Sequence, residues 1–265
     1  LAAGDAASEL STAQFRLLLI IFHVHYSGGA TALNSYSDQD EGPIGGLWNP
    51  PQVTRNLLIF AVGVQVIGLV LLFFVSLPLF GLALIMGAVG NAYSHPAVRL
   101  KARPWASLLA VSIFQGMGGT AAGWLFVQED WTTLFSQDAI LGMLAAGLLI
   151  TGFYPLTQVY QRAEDRKQGV ISFAVHWGER VFPLAIACLI CAALLMGALV
   201  WQTFGWVQAV IVAGGVAVLA VLVFLWWRQF DDSNVRQNYA WMMRIGIVMT
   251  SGFLGFIALQ LAWGF

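Results

Sequence analysis

The chain has 265 residues, of which 59% are hydrophobic and only 9% are charged. A soluble domain averages about 25% charged residues, so this composition excludes a water-exposed globular protein. The net charge of −1 gives no reason to expect nucleic acid as a partner.

The apolar residues fall in runs of about 20, the length that an α-helix needs to cross a bilayer. Two long runs contain breaks, at Ser76 to Pro78 and at Gln202 to Gly205, that are typical of tight hairpins. No regular alternation of polar and apolar residues indicates a β-barrel. The sequence therefore predicts an all-α integral membrane bundle with eight visible spans, at 14–33, 55–76, 78–94, 105–127, 137–159, 181–202, 206–228 and 240–263.

The first residues indicate a helix that precedes the eight. Leu1 to Gly4 is typical of the end of an apolar helix, and the polar stretch Asp5 to Ala13 leads into the first complete span. We expect nine helices in the native chain, arranged as a single transmembrane domain over residues 1–265.

Basic residues mark one side of the membrane. Ten of the 12 Lys and Arg residues fall in or beside four alternate loops, and the positive-inside rule places such loops in the cytoplasm. The expected location is a bacterial inner membrane, with cytoplasmic loops at 34–54, 94–104, 160–180 and 228–239.

The carboxylates are concentrated in two of these loops. Asn34, Asp38 and Gly42 share with Gln161, Asp165 and Gly169 the pattern of a carboxamide, three residues, an Asp, three residues and a Gly. A spacing of four places amide and carboxylate on one helix face, and oxygen ligands suit Mg²⁺. Solvated helix ends would explain one such segment. Two matching segments on one side favour a metal and diphosphate site.

Between them, the loop from Asn91 to Trp105 carries three cations in five residues: Arg99, Lys101 and Arg103. Such a cluster can hold a diphosphate, with Arg as a bidentate donor and Lys as a point charge. By itself, a basic loop that sets topology or contacts anionic lipid explains it better.

Together these segments resemble the UbiA-type prenyltransferase superfamily. Its members carry an Asn-Asp-x-x-Asp-x-x-x-Asp motif, a Tyr-Ser-x-x-x-x-Lys-like loop and an Asp-x-x-x-Asp motif, in that order. The resemblance covers almost the whole chain, and the family's nine helices agree with a missing first one. The loop from Tyr93 and the stretch Glu164 to Arg166 look most like the chlorophyll-synthase branch, whereas Asp40 to Leu47 looks more like a bacterial branch with an Asp-Glu-Gly signature. The matching residues are Asn34, Asp38, Tyr93, Ser94, Arg99, Lys101, Asp165, Gly169 and Ser172 to Gly178.

The resemblance implies Mg²⁺-assisted transfer of an isoprenoid chain from an allylic diphosphate to a lipophilic acceptor within membrane lipid. The expected catalytic residues are Asp38, Asp165 and Tyr93. The expected metal ligands are Asn34, Asp38, Glu41, Glu164 and Asp165. The residues expected to hold the diphosphate are Asn34, Arg99, Lys101, Arg166 and Lys167.

Three positions depart from the family motifs. Ser35, Gly42 and Gln161 stand where the family has carboxylates, with Asp40, Glu41 and Glu164 as nearby substitutes. The departures motivate a second hypothesis, a degenerate relative that binds lipid, quinone or pigment as a subunit of a larger membrane complex. A transporter is disfavoured, because its polar residues would lie at the membrane midplane.

Several other polar residues have a plain explanation beside a functional one. Cys188 and Cys191 are predicted to pack in an apolar helix, and His23 and His25 to lie on different faces of the first span. Gly116, Gly118, Gly119 and Gly123 allow either close helix packing or room for an isoprenoid tail. Arg244, inside the last span, needs an anionic partner, either Asp231 or Asp232 or a substrate diphosphate.

Overall fold

The computed structural model describes residues 12–39 and 42–263, which are almost entirely helical and include no β-strand. The all-α prediction is confirmed. The α-helices, in chain order, are α1 Thr12–Ile20, α2 Gly29–Asp38, α3 Arg55–Val75, α4 Leu77–Ser94, α5 Pro104–Ala110, α6 Gly118–Gln128, α7 Gln137–Thr157, α8 Arg162–Lys167, α9 Phe173–Trp177, α10 Val181–Phe204, α11 Trp206–Arg228 and α12 Val235–Trp263.

Seven helices in this described part are long and apolar enough to cross a membrane, and they coincide with the last seven predicted spans. The first predicted span, 14–33, lies in a continuous helical segment formed by α1, the π-helical stretch Ile21–Gly28 and α2. This segment is more polar than the other seven, since it contains Arg16, His23 and His25. The count of eight spans stays a prediction, and the expected preceding helix falls partly on residues 1–11, outside the described range.

Both predicted hairpin breaks are confirmed. Ser76 has an extended backbone between α3 and α4, and its hydroxyl accepts a hydrogen bond from the Leu79 amide at 3.4 Å. Gly205 separates α10 from α11 with φ +105°, a conformation that an L side chain rarely adopts. A short polar side chain at one break and a glycine at the other therefore end the helices.

The helices form two compact units. The first contains the described residues up to Lys101 together with Gly118–Ile140, and the second contains Ala102–Met117 and the described residues from Leu141 onward. In the first unit, α2 approaches α3 closely at Gly29, where an added Cβ would lie 2.6 Å from Gln65 Cγ and 3.1 Å from the Ala61 carbonyl oxygen. This close approach fixes the helix that carries Asn34 and Asp38.

The two histidines of the first segment differ in their surroundings, as their spacing predicts. His23 is exposed, whereas His25 is partly buried and its Nδ1 lies 3.1 Å from the Val64 carbonyl oxygen. The cysteines also behave as expected for helix packing: both are free in α10, with Cys188 buried and Cys191 exposed.

The glycine-rich span Pro104–Gln128 contains one tight contact in the second unit. A Cβ at Gly116 would lie 2.9 Å from Gly147 Cα and 3.0 Å from the Ala146 carbonyl oxygen, so these backbones touch. At Gly119 and Gly123 an added Cβ meets nothing within 4 Å. Close packing therefore explains Gly116, while Gly119 and Gly123 leave open space beside α6.

We expect Gly116→Ala to destabilise the protein and Gly119→Ala to leave it unchanged or slightly more stable. The first change forces apart two packed backbones, at a cost of about 1–3 kcal/mol. The second adds a methyl group to open space in a helix, where Ala is favoured over Gly by up to about 1 kcal/mol. Thermal unfolding of both variants in detergent tests the difference, and equal unfolding temperatures would contradict the contact at Gly147.

Candidate active site

Two of the polar segments singled out in the sequence meet in the first unit. The Ser94 hydroxyl, at the end of α4, donates a hydrogen bond to Asn34 Oδ1 at 2.7 Å. Lys101 Nζ forms an ion pair with Asp38 Oδ1. The first motif and the basic loop, which are about 60 residues apart in sequence, are therefore joined by two polar contacts.

Helix ends and tight turns position these four side chains. Asn34 and Asp38 lie one turn apart in α2, and the next residue, Gln39, adopts the left-handed conformation with φ +50°. After α4 the chain turns through Arg99, also left-handed at φ +45°, into a 3₁₀ turn at Leu100–Ala102. That turn brings Lys101 back toward α2, while Ser94 reaches the same helix directly.

The Asp38–Lys101 pair is largely withdrawn from solvent. The exposed fractions of the two side chains are 17% for Asp38 and 10% for Lys101. Charges in such a place are retained only when each neutralises the other, because removing a lone ion from water is costly. This half of the site therefore depends on both partners.

The second carboxylate segment lies in the second unit, around α8. Ser172 Oγ donates to Asp165 Oδ2 at 2.5 Å, and the Val170 amide donates to the Asp165 carbonyl oxygen at 2.8 Å. Between them Gly169 adopts φ +68°, which lets the chain reverse after the helix. The loop thus folds back so that Ser172 holds the Asp165 carboxylate.

The matched pattern of the two segments does not give matched local structure. Asn34 and Asp38 share one helix, as predicted, but Gln161 ends the 3₁₀ turn Val159–Gln161 and is the residue before α8. The helix face expected to be shared by Gln161 and Asp165 stays a prediction. α7 ends at Thr157, two residues after its internal Pro155, and the chain passes through a 3₁₀ turn before α8 begins.

Gln158 is a structural residue that the sequence interpretation missed. It is buried, its Nε2 donates to the Tyr154 hydroxyl at 2.7 Å, and its Oε1 accepts from the Ala174 amide at 3.2 Å. Ala174 is in the first turn of α9, whose preceding residue, Ser172, uses its hydroxyl on Asp165. Gln158 therefore supplies the helix cap that Ser172 does not. In the sequence, a carboxamide near the end of an apolar span is the signal that could have indicated this role.

A cluster of charged side chains joins α8 to the loop after α11. Arg162 Nη1 and Arg166 Nη1 lie 3.0 Å and 3.1 Å from the two carboxylate oxygens of Asp232. The Arg162 guanidinium also lies over the ring of Phe230, 5.7 Å from its centroid. Arg166, expected to hold diphosphate, is thus engaged with Asp232 in this structure.

The neighbouring Asp231 has a different role from that of Asp232. Hydrogen bonds from the Ser233 hydroxyl and amide lower the pKa of Asp231. Its side chain thereby closes the turn before α12.

We expect Asp232→Asn to reduce stability more than Asp231→Asn. Arg162 is buried, with an exposed side-chain fraction of 8%, so it depends on the Asp232 charge. Because Asp232 is 41% exposed, solvent compensates part of the loss, and about 1–2 kcal/mol is expected. Asp231→Asn keeps an oxygen that accepts from Ser233. Thermal unfolding of the two variants measures the difference, and indistinguishable curves would contradict a structural role for the cluster.

The remaining predicted site residues are placed as follows. Tyr93 and Arg99 are partly buried, Glu164 accepts from Gln168 Nε2 at 3.5 Å, and Lys167 is exposed. Glu41 lies outside the described residues. Among those that are described, no group of three or more His, Cys, Asp or Glu side chains comes close enough to hold a metal ion.

Each of the two segments nevertheless offers oxygen atoms of the kind that Mg²⁺ prefers. Asn34 and Asp38 offer a carboxamide and a carboxylate oxygen one turn apart, and Asp165 offers a second carboxylate beside Glu164. Hard oxygen ligands of this kind, completed by water and phosphate, suit Mg²⁺.

A family model described as the UbiA prenyltransferase family matches residues 1–248. The chain belongs to this family. Digeranylgeranylglyceryl phosphate synthase in membranes, a solved structure, is similar to it with a TM-score of 0.62 and 18% sequence identity, over 94% of this chain and 86% of that one. At that identity the likeness shows the UbiA-like fold alone. No curated protein sequence matches the chain.

Arg244 of this UbiA-family chain is paired with neither Asp231 nor Asp232. Asp232 is engaged by Arg162 and Arg166, and the Asp231 carboxylate accepts from Ser233. The Arg244 guanidinium instead lies over the Trp241 ring, 5.4 Å from its centroid. Within the described residues, neither carboxylate is its partner, because both serve the loop that connects α11 to α12.

Proposed function

We propose that this protein transfers an isoprenoid chain from an allylic diphosphate to a lipophilic acceptor, with Mg²⁺, at the cytoplasmic membrane face. The observation that carries the proposal is the meeting of the first motif with the basic loop, through Asn34–Ser94 and Asp38–Lys101. Membership of the UbiA prenyltransferase family supports the reaction class. A single catalytic domain over residues 1–265 is part of the proposal.

The leaving diphosphate requires positive charge that is already in place. Asn34, Asp38, Glu41, Glu164 and Asp165 are the oxygen ligands that would hold Mg²⁺. When bound, the ion neutralises charge that develops on the leaving group. Lys101 and Arg99, in the basic loop, are the cations that bind the oxygens of the diphosphate. Arg166 and Lys167 contribute further positive charge from the second segment.

Lys101 has two possible anionic partners in this reaction. In the structure its ammonium is held by Asp38. A diphosphate would offer it a more highly charged alternative and would free the Asp38 carboxylate, one of the residues that would hold Mg²⁺. Binding of substrate and exposure of the carboxylate are thereby coupled in a single exchange of ion pairs.

The allylic centre also needs protection from water while positive charge develops on it. Apolar helices around the isoprenoid tail would provide that protection, and α6 offers the tail a surface without side chains at the exposed Gly119 and Gly123. Tyr93, next to Ser94 at the end of α4, is the aromatic residue proposed to stabilise the cation through its ring face.

The test is a transfer assay on the full chain in nanodiscs. Geranylgeranyl diphosphate is supplied with lipids extracted from the expression host, with Mg²⁺ or with EDTA, and products are identified by mass spectrometry. A new prenylated lipid that forms only with Mg²⁺ supports the proposal. Tight retention of a quinone or pigment, together with no diphosphate binding, would instead support a binding subunit of a larger membrane complex.

A further inference from the structure

An open pocket at the start of α12 is not used by the proposed reaction. Its volume is about 450 Å³, and it lies wholly within the second unit. The lining includes two guanidinium groups and no carboxylate. The polar and aromatic residues of interest are Asn234, Arg236, Gln237, Trp241 and Arg244.

The base of the pocket is fixed by the helix cap. Asn234 Oδ1 accepts from the Gln237 amide at 3.1 Å, and Asn234 Nδ2 donates to Gln237 Oε1 at 3.0 Å. This reciprocal pairing orders the first turn of α12 and with it the position of Arg236. The cap therefore fixes the backbone from which Arg236 and Gln237 line the pocket.

The two cations have no carboxylate partner among the described residues. Of the two carboxylates in the adjoining loop, Asp232 is bound by Arg162 and Arg166, and Asp231 closes its own turn. Arg244 is exposed and lies against the Trp241 ring. Positive charge thus remains uncompensated on the protein side of the pocket.

The positions of Arg236 and Arg244 along α12 indicate their depth in the membrane. Arg236 is the second and Arg244 the tenth residue of a 29-residue helix that forms a candidate membrane span. Eight residues of helix place them about 12 Å apart along the axis. Beyond Arg244 the helix continues with Ile245, Ile247 and Val248, so the pocket extends from the helix end to the edge of the apolar region.

We propose that this pocket binds the headgroup of an anionic phospholipid from the leaflet at this end of the span. The two guanidinium groups, one near the membrane surface and one deeper, match a phosphate at the boundary between headgroup and acyl chains. Trp241 is the side chain type that anchors a helix at that depth, and it covers one face of the Arg244 guanidinium.

Native mass spectrometry of the full chain in detergent tests the proposal, with phosphatidylglycerol or phosphatidylcholine of equal chain length added as the probe. We expect the wild type to retain one phosphatidylglycerol roughly tenfold or more in preference to phosphatidylcholine, because each cation near the surface adds about 1 kcal/mol for anionic lipid. The double variant Arg236→Gln/Arg244→Gln loses this preference. Arg180→Gln, an exposed cation outside the pocket, keeps it.

Three results would overturn the proposal: no preference in the wild type, an unchanged preference in the double variant, or displacement of phosphatidylglycerol by an equal concentration of inorganic phosphate or geranylgeranyl diphosphate. The last would assign the pocket to free phosphate or to substrate. A charge-preserving variant, Arg236→Lys/Arg244→Lys, keeps part of the preference and serves where the neutral variant does not fold. None of these readouts depends on prenyl transfer.

Discussion

Prenyl transfer is expected to fall by about 100-fold or more in Asp38→Asn and in Asp165→Asn, because each change removes a negative oxygen ligand where charge must be stabilised. Asn has nearly the size of Asp and keeps one oxygen, so the shape of the Asp165 segment is preserved, whereas Asp38→Asn also leaves the largely buried Lys101 ammonium without its anionic partner. At position 165 that oxygen can still accept from Ser172. The measurement is the rate of product formation from geranylgeranyl diphosphate in nanodiscs, at several Mg²⁺ concentrations.

Asp138→Asn is the matched control for both changes. Asp138 is an exposed carboxylate in the first turn of α7, outside the two motif segments, and its replacement should leave the rate within about twofold of wild type. If Asp38→Asn and Asp165→Asn were as active as this control, the assignment of both carboxylates as metal ligands would be wrong.

Variants of the Lys101–Asp38 pair should separate its contribution to stability from its contribution to catalysis. Lys101→Met leaves the Asp38 carboxylate largely buried without its partner, and an uncompensated charge of this kind costs about 3–5 kcal/mol. In the double variant Asp38→Asn/Lys101→Met no charge remains, so most of that loss should be recovered. Unfolding temperatures of wild type, both single variants and the double variant complete the thermodynamic cycle.

Activity should not follow stability through this cycle. The stable double variant lacks both the proposed metal ligand and the proposed diphosphate donor, so transfer should stay at least about 100-fold below wild type. Recovery of transfer together with stability would show that the pair only holds α2 against the basic loop. A double variant no more stable than Lys101→Met would show that the ion pair itself contributes little.

The positions of the spans could be predicted because apolar length is imposed by the bilayer, whatever the packing. The breaks at Ser76 and Gly205 could also be predicted, because the end of a helix depends on the chemistry of the residues at that point. Likewise, the proximity of the first motif to the basic loop was accessible through the family resemblance. The hydrogen bond between Asn34 and Ser94 is a direct contact between these two segments.

Contacts that depend on tertiary placement could not be predicted. Nothing in the spacing indicates that Asp232 binds Arg162 and Arg166, or that Gln158 caps α9, because both depend on how separate helix ends come together. The pattern shared by residues 34–42 and 161–169 did not indicate the type of helix at each segment. Identical spacing in sequence gave one continuous helix at the first site and a change of helix type at the second.

The π-helical stretch Ile21–Gly28 rotates α2 about the helix axis, relative to the orientation that a regular α-helix continuing from α1 would have. Each residue added to or removed from a helix rotates everything beyond it by about 100°. The direction in which Asn34 and Asp38 point is therefore set several turns away, in a stretch that contains neither of them. Insertions and deletions between Ile21 and Gly28 would consequently reorient Asn34 and Asp38, even though both residues are left intact.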